Sequence, residues 1–220
     1  MHYFIDIPEV QQAIEEIVAS GTPVITVNTD ITSTGKVCYV GPDYTHGGKT
    51  AAGLLSMMNN QKELNILVVT GSFNIKGHNE RIKGFTQGLQ DHQMEYRILC
   101  LEESLDDDEH AFDLTCECLN TYQQINCIFI AAGGVKGVCD AIMHLNKQDH
   151  IRVLSFDDIP TTKALVQQGI ISFTLCQEPL QQGYLAIQKL FTYLMNEGKI
   201  PLEDTITKTI IKIPENIEDQ

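Results

Sequence analysis

Short apolar runs recur along this chain, each closed by Gly, Pro, Asp or Asn: Val24–Asn28, Ile66–Thr70, Tyr96–Leu101, Cys127–Ala131 and Arg152–Phe156. Runs this short and this continuously apolar suit strands buried on both faces, and such strands belong to parallel sheets. Helical periods fill the gaps. In Ile7–Ser20, Val10, Ala13, Ile14, Ile17 and Val18 share one face; Asp6 and Glu9 suit a capping box, and Gly21 with Pro23 stops the helix. Tyr44–Met58, Asn79–Leu89 and Pro179–Asn196 carry further apolar stripes. Strand then helix, repeated, predicts an α/β protein with helices on both faces of parallel sheets.

The end of the chain reads differently. Thr205–Ile213 mixes Thr and Lys with Ile and is expected as one edge strand, followed by a polar, frayed Pro214–Gln220. The run Asp106–Glu109 suits a helix start, with acids at the positive end of the dipole. At the beginning, a helix comes first, and only Val24–Asn28 and Val37–Val40 can build a sheet beside it. The first layer is therefore expected to be incomplete, leaving the apolar face of Ile7–Ser20 open unless a second chain covers it.

Charge and cysteine usage exclude several classes of function. The net charge of −14 repels phosphate backbones, so the chain is a poor nucleic-acid binder. No apolar run approaches the ~20 residues of a membrane helix, and the N-terminus does not read as a signal peptide. Seven Cys, an odd number, suit buried thiols in a reducing compartment, hence the cytoplasm; without a Cys-x-x-Cys pair no structural zinc site is expected.

In open parallel sheets ligands bind beyond the carboxyl ends of the strands. Polar residues there are Asn28, Thr29 and Asp30; Gly71, Ser72 and Asn74; Asp157 and Asp158; and Gln177 after the alternating strand Ile171–Cys176. Arg81 adds a cation one turn into the helix after Ile66–Thr70. Amides, carboxylates and a guanidinium make the planar hydrogen bonds that suit vicinal hydroxyls or a small carboxylate. Each has a plain structural alternative: Asp157 as cap of the helix near Pro160, Asn28 and Asp30 as turn residues, Arg81 paired with Glu80 or Asp91. A P-loop is absent, and no Gly-x-Ser-x-Gly elbow occurs. Ala132–Gly137 is one residue from a dinucleotide fingerprint, with Asp157 at the end of the next strand, which keeps a nicotinamide-type enzyme as an alternative of another class. The competing reading is a Gly-rich turn with close backbone packing.

Taken in order, several segments resemble the type I periplasmic-binding-protein superfamily. They are Gly21–Asp30, Tyr39–Tyr44 with Gly47-Gly48 and Ala51–Gly53, Gly71, Asn79–Phe85, Val153–Asp158, and Phe173–Pro179 with Gly183-Tyr184. The set is most like the effector-binding domain of LacI/GalR-type regulators, N-terminally truncated. The resemblance implies two lobes, a ligand clamped in a cleft and no catalysed reaction. Residues 1–62 with 178–199 would form the incomplete first lobe, and 63–177 with 200–220 the second. It also implies that Arg81 forks onto the ligand, with Asp157, Gln177 and Asn28 as further contacts. Thr29 replaces a family Arg, and Ala131–Gly134 lacks the usual Asn or Asp. The implied partners are a sugar-like effector and a second copy of the chain. DNA would be reached only through a helix-turn-helix absent from this sequence, and no cofactor, metal or membrane is implied. A solute-binding protein of a sugar ABC transporter is the nearer alternative.

Overall fold

The computed structural model describes residues 7–32, 35–58 and 63–217. The chain forms two compact units: residues 1–43, 74–77 and 177–209, and residues 44–73, 78–176 and 210–220. It crosses between them several times, so neither unit is continuous in sequence.

The second, larger unit holds six strands: β3 (Leu64–Thr70), β4 (Tyr96–Glu103), β5 (Cys127–Ile130), β6 (Arg152–Phe156), β7 (Phe173–Cys176) and β9 (Ile210–Lys212). Their order is β4-β3-β5-β6-β7-β9. All pairs are parallel except β7 with β9. Successive side chains of β3 go to opposite faces, and both faces are dry. Leu67 and Val69 join a core with α4 (Asp108–Thr121), α5 (Val135–His144) and α6 (Pro160–Gln167). Ile66 and Val68 join a second core with α2 (Tyr44–Met58) and α3 (Lys76–Asp91), where Phe85 and Phe129 stack at 4.1 Å between ring centres. The runs at Ile66–Thr70, Cys127–Ala131 and Arg152–Phe156 thus become strands buried on both faces, whereas β4, at the sheet edge, exposes Ile98 and Leu101, and the strand within Val24–Asn28 exposes Val27.

The first unit has three parallel strands, β1 (Ile25–Val27), β2 (Cys38–Pro42) and β8 (Thr205–Thr207), in the order β1-β2-β8. It also carries α1 (Pro8–Ala19) and α7 (Pro179–Met195). Tyr39 ties this sheet together: its hydroxyl donates to the carbonyls of Asn28 and Pro42 at 2.6 and 3.0 Å, and its N–H donates to Asp204 at 2.7 Å. Helix α7 lies against β1 and β2, burying Gln182 and Ala186, while Leu180, Tyr184, Ile187, Phe191 and Leu194 stay exposed.

Several expectations change. Of the segment 44–62, the described residues 44–58 do not stay with the first lobe, because Ala51, Ala52 and Leu55 of α2 pack on β3 and α3. Thr205–Ile213 is two strands, not one: β8 pairs with β2, and after Lys208 and Thr209 the chain starts β9 against β7. Gln177 falls in the first unit rather than the second. The tail is anchored rather than frayed as far as Ile217, which is 2% exposed, and Asn216 bonds back to Ile213 and Ile211. The face of α1 is only partly open, with Ile14 buried and Ile17 exposed; the longer bare stripe lies on α7. The capping role given to Asp6 lies outside the described residues, and the N-cap observed is Ile7, with Pro8 starting the helix.

Candidate functional site

In the second unit, the carboxyl ends of β5 and β6 lie side by side, since those strands pair in parallel. Arg81 reaches this edge from α3. Its Nη1 donates to the Ala131 carbonyl, just past β5, at 2.6 Å. Its guanidinium carbon lies 3.9 Å from the ring centre of Phe156 and 5.0 Å from that of Tyr44. Phe156 is the last residue of β6, and Asp157 follows it. Arg81 is 4% exposed and its Nε has no hydrogen-bond partner. A buried cation held by two ring faces and one carbonyl keeps unspent donor capacity.

Two of the plain structural alternatives do not hold. Arg81 is buried, and Asp91 bonds Lys49 rather than Arg81. Asp157 does not cap α6: the N-cap is Ile159, without a side-chain cap bond. Asp157 is exposed and holds a left-handed backbone at φ +66°. That conformation is fixed from both sides, by its N–H on Leu175 O at 2.9 Å and by Thr174 Oγ1 donating to its carbonyl at 2.8 Å. Left-handed non-glycine residues cost on the order of 1–3 kcal/mol and concentrate where a side chain must be aimed.

The two other candidate residues belong to the first unit. Asn28 also has a left-handed backbone, φ +64°, and its N–H donates to Val40 O at 2.9 Å. Gln177 is 7% exposed; its carbonyl accepts from the side chains of Gln182 and Thr207, and the next residue, Glu178, is again left-handed. Asp30 is a structural residue, bonded to Lys36 and Thr26. The structure thus groups Arg81 and Asp157 at one sheet edge and places Asn28 and Gln177 at strand ends of the other unit.

The residues overlooked in the sequence are the two aromatics. Tyr44 opens α2 directly after Asp43, and Phe156 closes β6. Both lie inside quoted segments, but only the fold brings their rings onto one guanidinium.

His78, one helical turn before Arg81, is 6% exposed and accepts at Nδ1 from the Ser72 N–H at 3.4 Å. Burial, and next the Arg81 charge, push its pKa down to about 4. The folded value lies below the ~6.5 of the unfolded chain. Falling pH therefore protonates the unfolded state first, and this contribution to stability is lost between about pH 6.5 and 4. Urea titrations across that range are expected to show a fall on the order of a few kcal/mol, which His78→Gln flattens. An unchanged slope in the variant would exclude His78 as the source.

The Gly-rich turn after β5 does not offer a free phosphate cradle. The Gly133 N–H already donates to Asp106 Oδ1 at 2.7 Å, and a carboxylate there repels a pyrophosphate. Gly137 lets α5 meet α4, since a Cβ would lie 1.8 Å from Asp108 O. Asp107 caps α4 by accepting from the His110 N–H at 2.8 Å, as the acidic run suggested.

The family described as "Periplasmic binding protein domain" matches residues 4–199. No curated protein matches the sequence. Among solved structures the chain is similar to GanP, a glucose-galactose binding protein from Geobacillus stearothermophilus, at 25% identity and TM-score 0.88, covering 97% of this chain and 75% of that one. It is similar at 23% identity and TM-score 0.86 to an ABC transporter solute-binding protein from Burkholderia graminis in complex with D-arabinose, over 96% and 73% of the two chains. A third likeness is AraP, an arabinose binding protein from Geobacillus stearothermophilus, at 24% identity and TM-score 0.79, over 98% and 76%. The last two likenesses speak for the fold.

Proposed function

We propose, on the premise that this chain belongs to the periplasmic binding protein domain family, that it binds a sugar as a solute-binding protein of a transport system does. The observation that carries the reading is Arg81: a buried guanidinium with an unpartnered Nε, at the carboxyl edge of the sheet, beside an exposed Asp157. A guanidinium donates to ring or hydroxyl oxygens, and a carboxylate accepts from two adjacent hydroxyls. Asn28 and Gln177 are the proposed contacts from the first unit. No bond is made or broken, and no cofactor or metal takes part in sugar binding.

The test is a thermal-shift and calorimetric panel of pentoses and hexoses on the full chain. A sugar present at ~100 times its Kd is expected to raise Tm by about 5–10 °C. No shift with any sugar, at full native circular dichroism, would overturn the reading.

A second reading rests on a separate observation. All seven cysteines are free thiols, six of them buried. Free thiols suit a reducing compartment, which favours the effector-binding module of a LacI-type regulator in the cytoplasm. The dimer of such a regulator has a candidate surface in α7, whose exposed Leu180, Tyr184, Ile187, Phe191 and Leu194 follow the 4-3-4-3 spacing of a helix–helix seam. Sedimentation decides it: a dimer that Phe191→Glu dissolves supports this reading, and a monomer counts against it.

A further inference from the structure

Strand β4 is the edge of the larger sheet, and its pairing with β3 slips at Leu99: Ile98 faces Ile66, but Cys100 faces Leu67. Such a bulge re-aims the residues that follow it. Cys100 and Glu102, two apart, then share one face of the strand, the face that α4 covers. On α4, Cys118 stands one turn after Leu114, and both look down onto β4. Sγ of Cys100, Sγ of Cys118 and a carboxylate oxygen of Glu102 all lie within 4.8 Å of one another. The two cysteines line an open groove of about 310 Å³ with Leu99, Glu102, Glu117 and Tyr122.

We propose that Cys100, Cys118 and Glu102 form a binding site for a thiophilic divalent cation of the zinc type, separate from the sugar contacts. Cysteine sulfur and carboxylate oxygen are both ligands of such an ion, with bonds of roughly 2.3 Å to sulfur and 2.0–2.2 Å to oxygen. Tetrahedral ligands on bonds of that length stand a little under 4 Å apart, so the three atoms close on one ion by small side-chain rotations. Both thiols are buried, while Glu102 is exposed and keeps the groove open to solvent. Glu117 or a water completes the fourth position. On binding, each thiol gives its proton to the buffer and a thiolate–metal bond forms, with no change of oxidation state. Bound metal would pin the edge strand to the helix above it. No Cys-x-x-Cys spacing announces this site, because one thiol comes from a strand and the other from the next helix.

The experiment adds Co(II) to the metal-free, thiol-reduced chain. One equivalent is expected to produce a thiolate-to-cobalt charge-transfer band and intense tetrahedral visible bands, which one equivalent of zinc bleaches. Cys100→Ser with Cys118→Ser is expected to remove the bands, and Cys116→Ser, which presents its thiol from another side of α4, to keep them. Glu102→Gln, at an exposed position that folding tolerates, is expected to weaken zinc binding more than ~10-fold. Bands that never appear, that survive the double substitution, or zinc affinity indifferent to Glu102→Gln, would overturn the proposal. None of these readouts depends on whether the protein binds sugar.

Discussion

Arg81→Met is expected to keep the melting temperature of the ligand-free protein within a few degrees while losing sugar affinity. The side chain is 4% exposed between two rings, so an apolar residue of similar length fills its place. Losing the cation forfeits a charged hydrogen bond to Ala131 and two ring contacts, each on the order of 1–3 kcal/mol. It also removes a desolvation penalty of several kcal/mol, so the terms offset. Binding has no such offset, because the donors aimed at the ligand vanish: about 1.5–3 kcal/mol, or roughly 10–150-fold in Kd. Arg81→Ala is expected to differ. It leaves a hole between Tyr44 and Phe156 and costs roughly 2–5 kcal/mol of stability in addition to the affinity. Calorimetry and melting curves on the two variants separate the effects; undiminished affinity in Arg81→Met would remove Arg81 from the site.

The second large effect falls on glycines of a single helix, with opposite signs. A Cβ on Gly48 would stand 2.1 Å from Arg81 O and 2.6 Å from Phe85 N, backbone atoms that cannot rotate away. On the facing helix, Gly84 meets Thr45 O at 2.0 Å in the same manner. Helices α2 and α3 therefore touch backbone to backbone, and Gly48→Ala must drive them apart. A loss at or beyond the upper end of the usual ~1–3 kcal/mol for overpacking is expected, and the turn that carries Arg81 shifts with it. Gly53→Ala, one residue type and one helix in common, meets only His92 Nε2 at 3.4 Å. Here the gain in helix propensity prevails, about 0.5–1 kcal/mol of added stability. Urea midpoints moving in the same direction for both would contradict this account of the crossing.

What could be read in advance follows from how local each signal is. Tyr44–Met58 and Arg152–Phe156 are observed with the same ends that the apolar pattern gave them. The α/β class and the carboxyl-end position of Arg81 and Asp157 follow from the same alternation. The assignment of α2 to the larger unit does not, because it depends on Ala51, Ala52 and Leu55 meeting side chains from β3, α3 and β5. Nor does the division of Thr205–Ile213, where two neighbouring triplets find different sheets and Lys208 and Thr209 give no turn signal. The burial of Arg81 was hidden for a similar reason. A charge near a helix start reads as solvated until Tyr44 and Phe156 arrive from distant parts of the chain. Left-handed Asn28, Asp157 and Glu178 are another silent feature, since their residue types only permit that backbone and the strand ends impose it.

The order of synthesis bears on the two units unequally. Strands β3 to β7 leave the ribosome one after another, each next to a partner already made or soon to follow, so the larger sheet assembles during translation. The smaller sheet has no such route. Its β2 at Cys38–Pro42 waits for β8 at Thr205–Thr207, and α7, which lies against β1 and β2, is made only shortly before. From their synthesis until Thr205–Thr207 is made, Ile25–Val27 and Cys38–Pro42 lack β8 beside β2. Closing the sheet across such a separation is slow and entropically costly. Nascent chains stalled before Thr205 should therefore present a protease with β3 to β7 already paired, still short of β9 and Ile217, and with a more open smaller unit, and chaperone demand should concentrate on that interval.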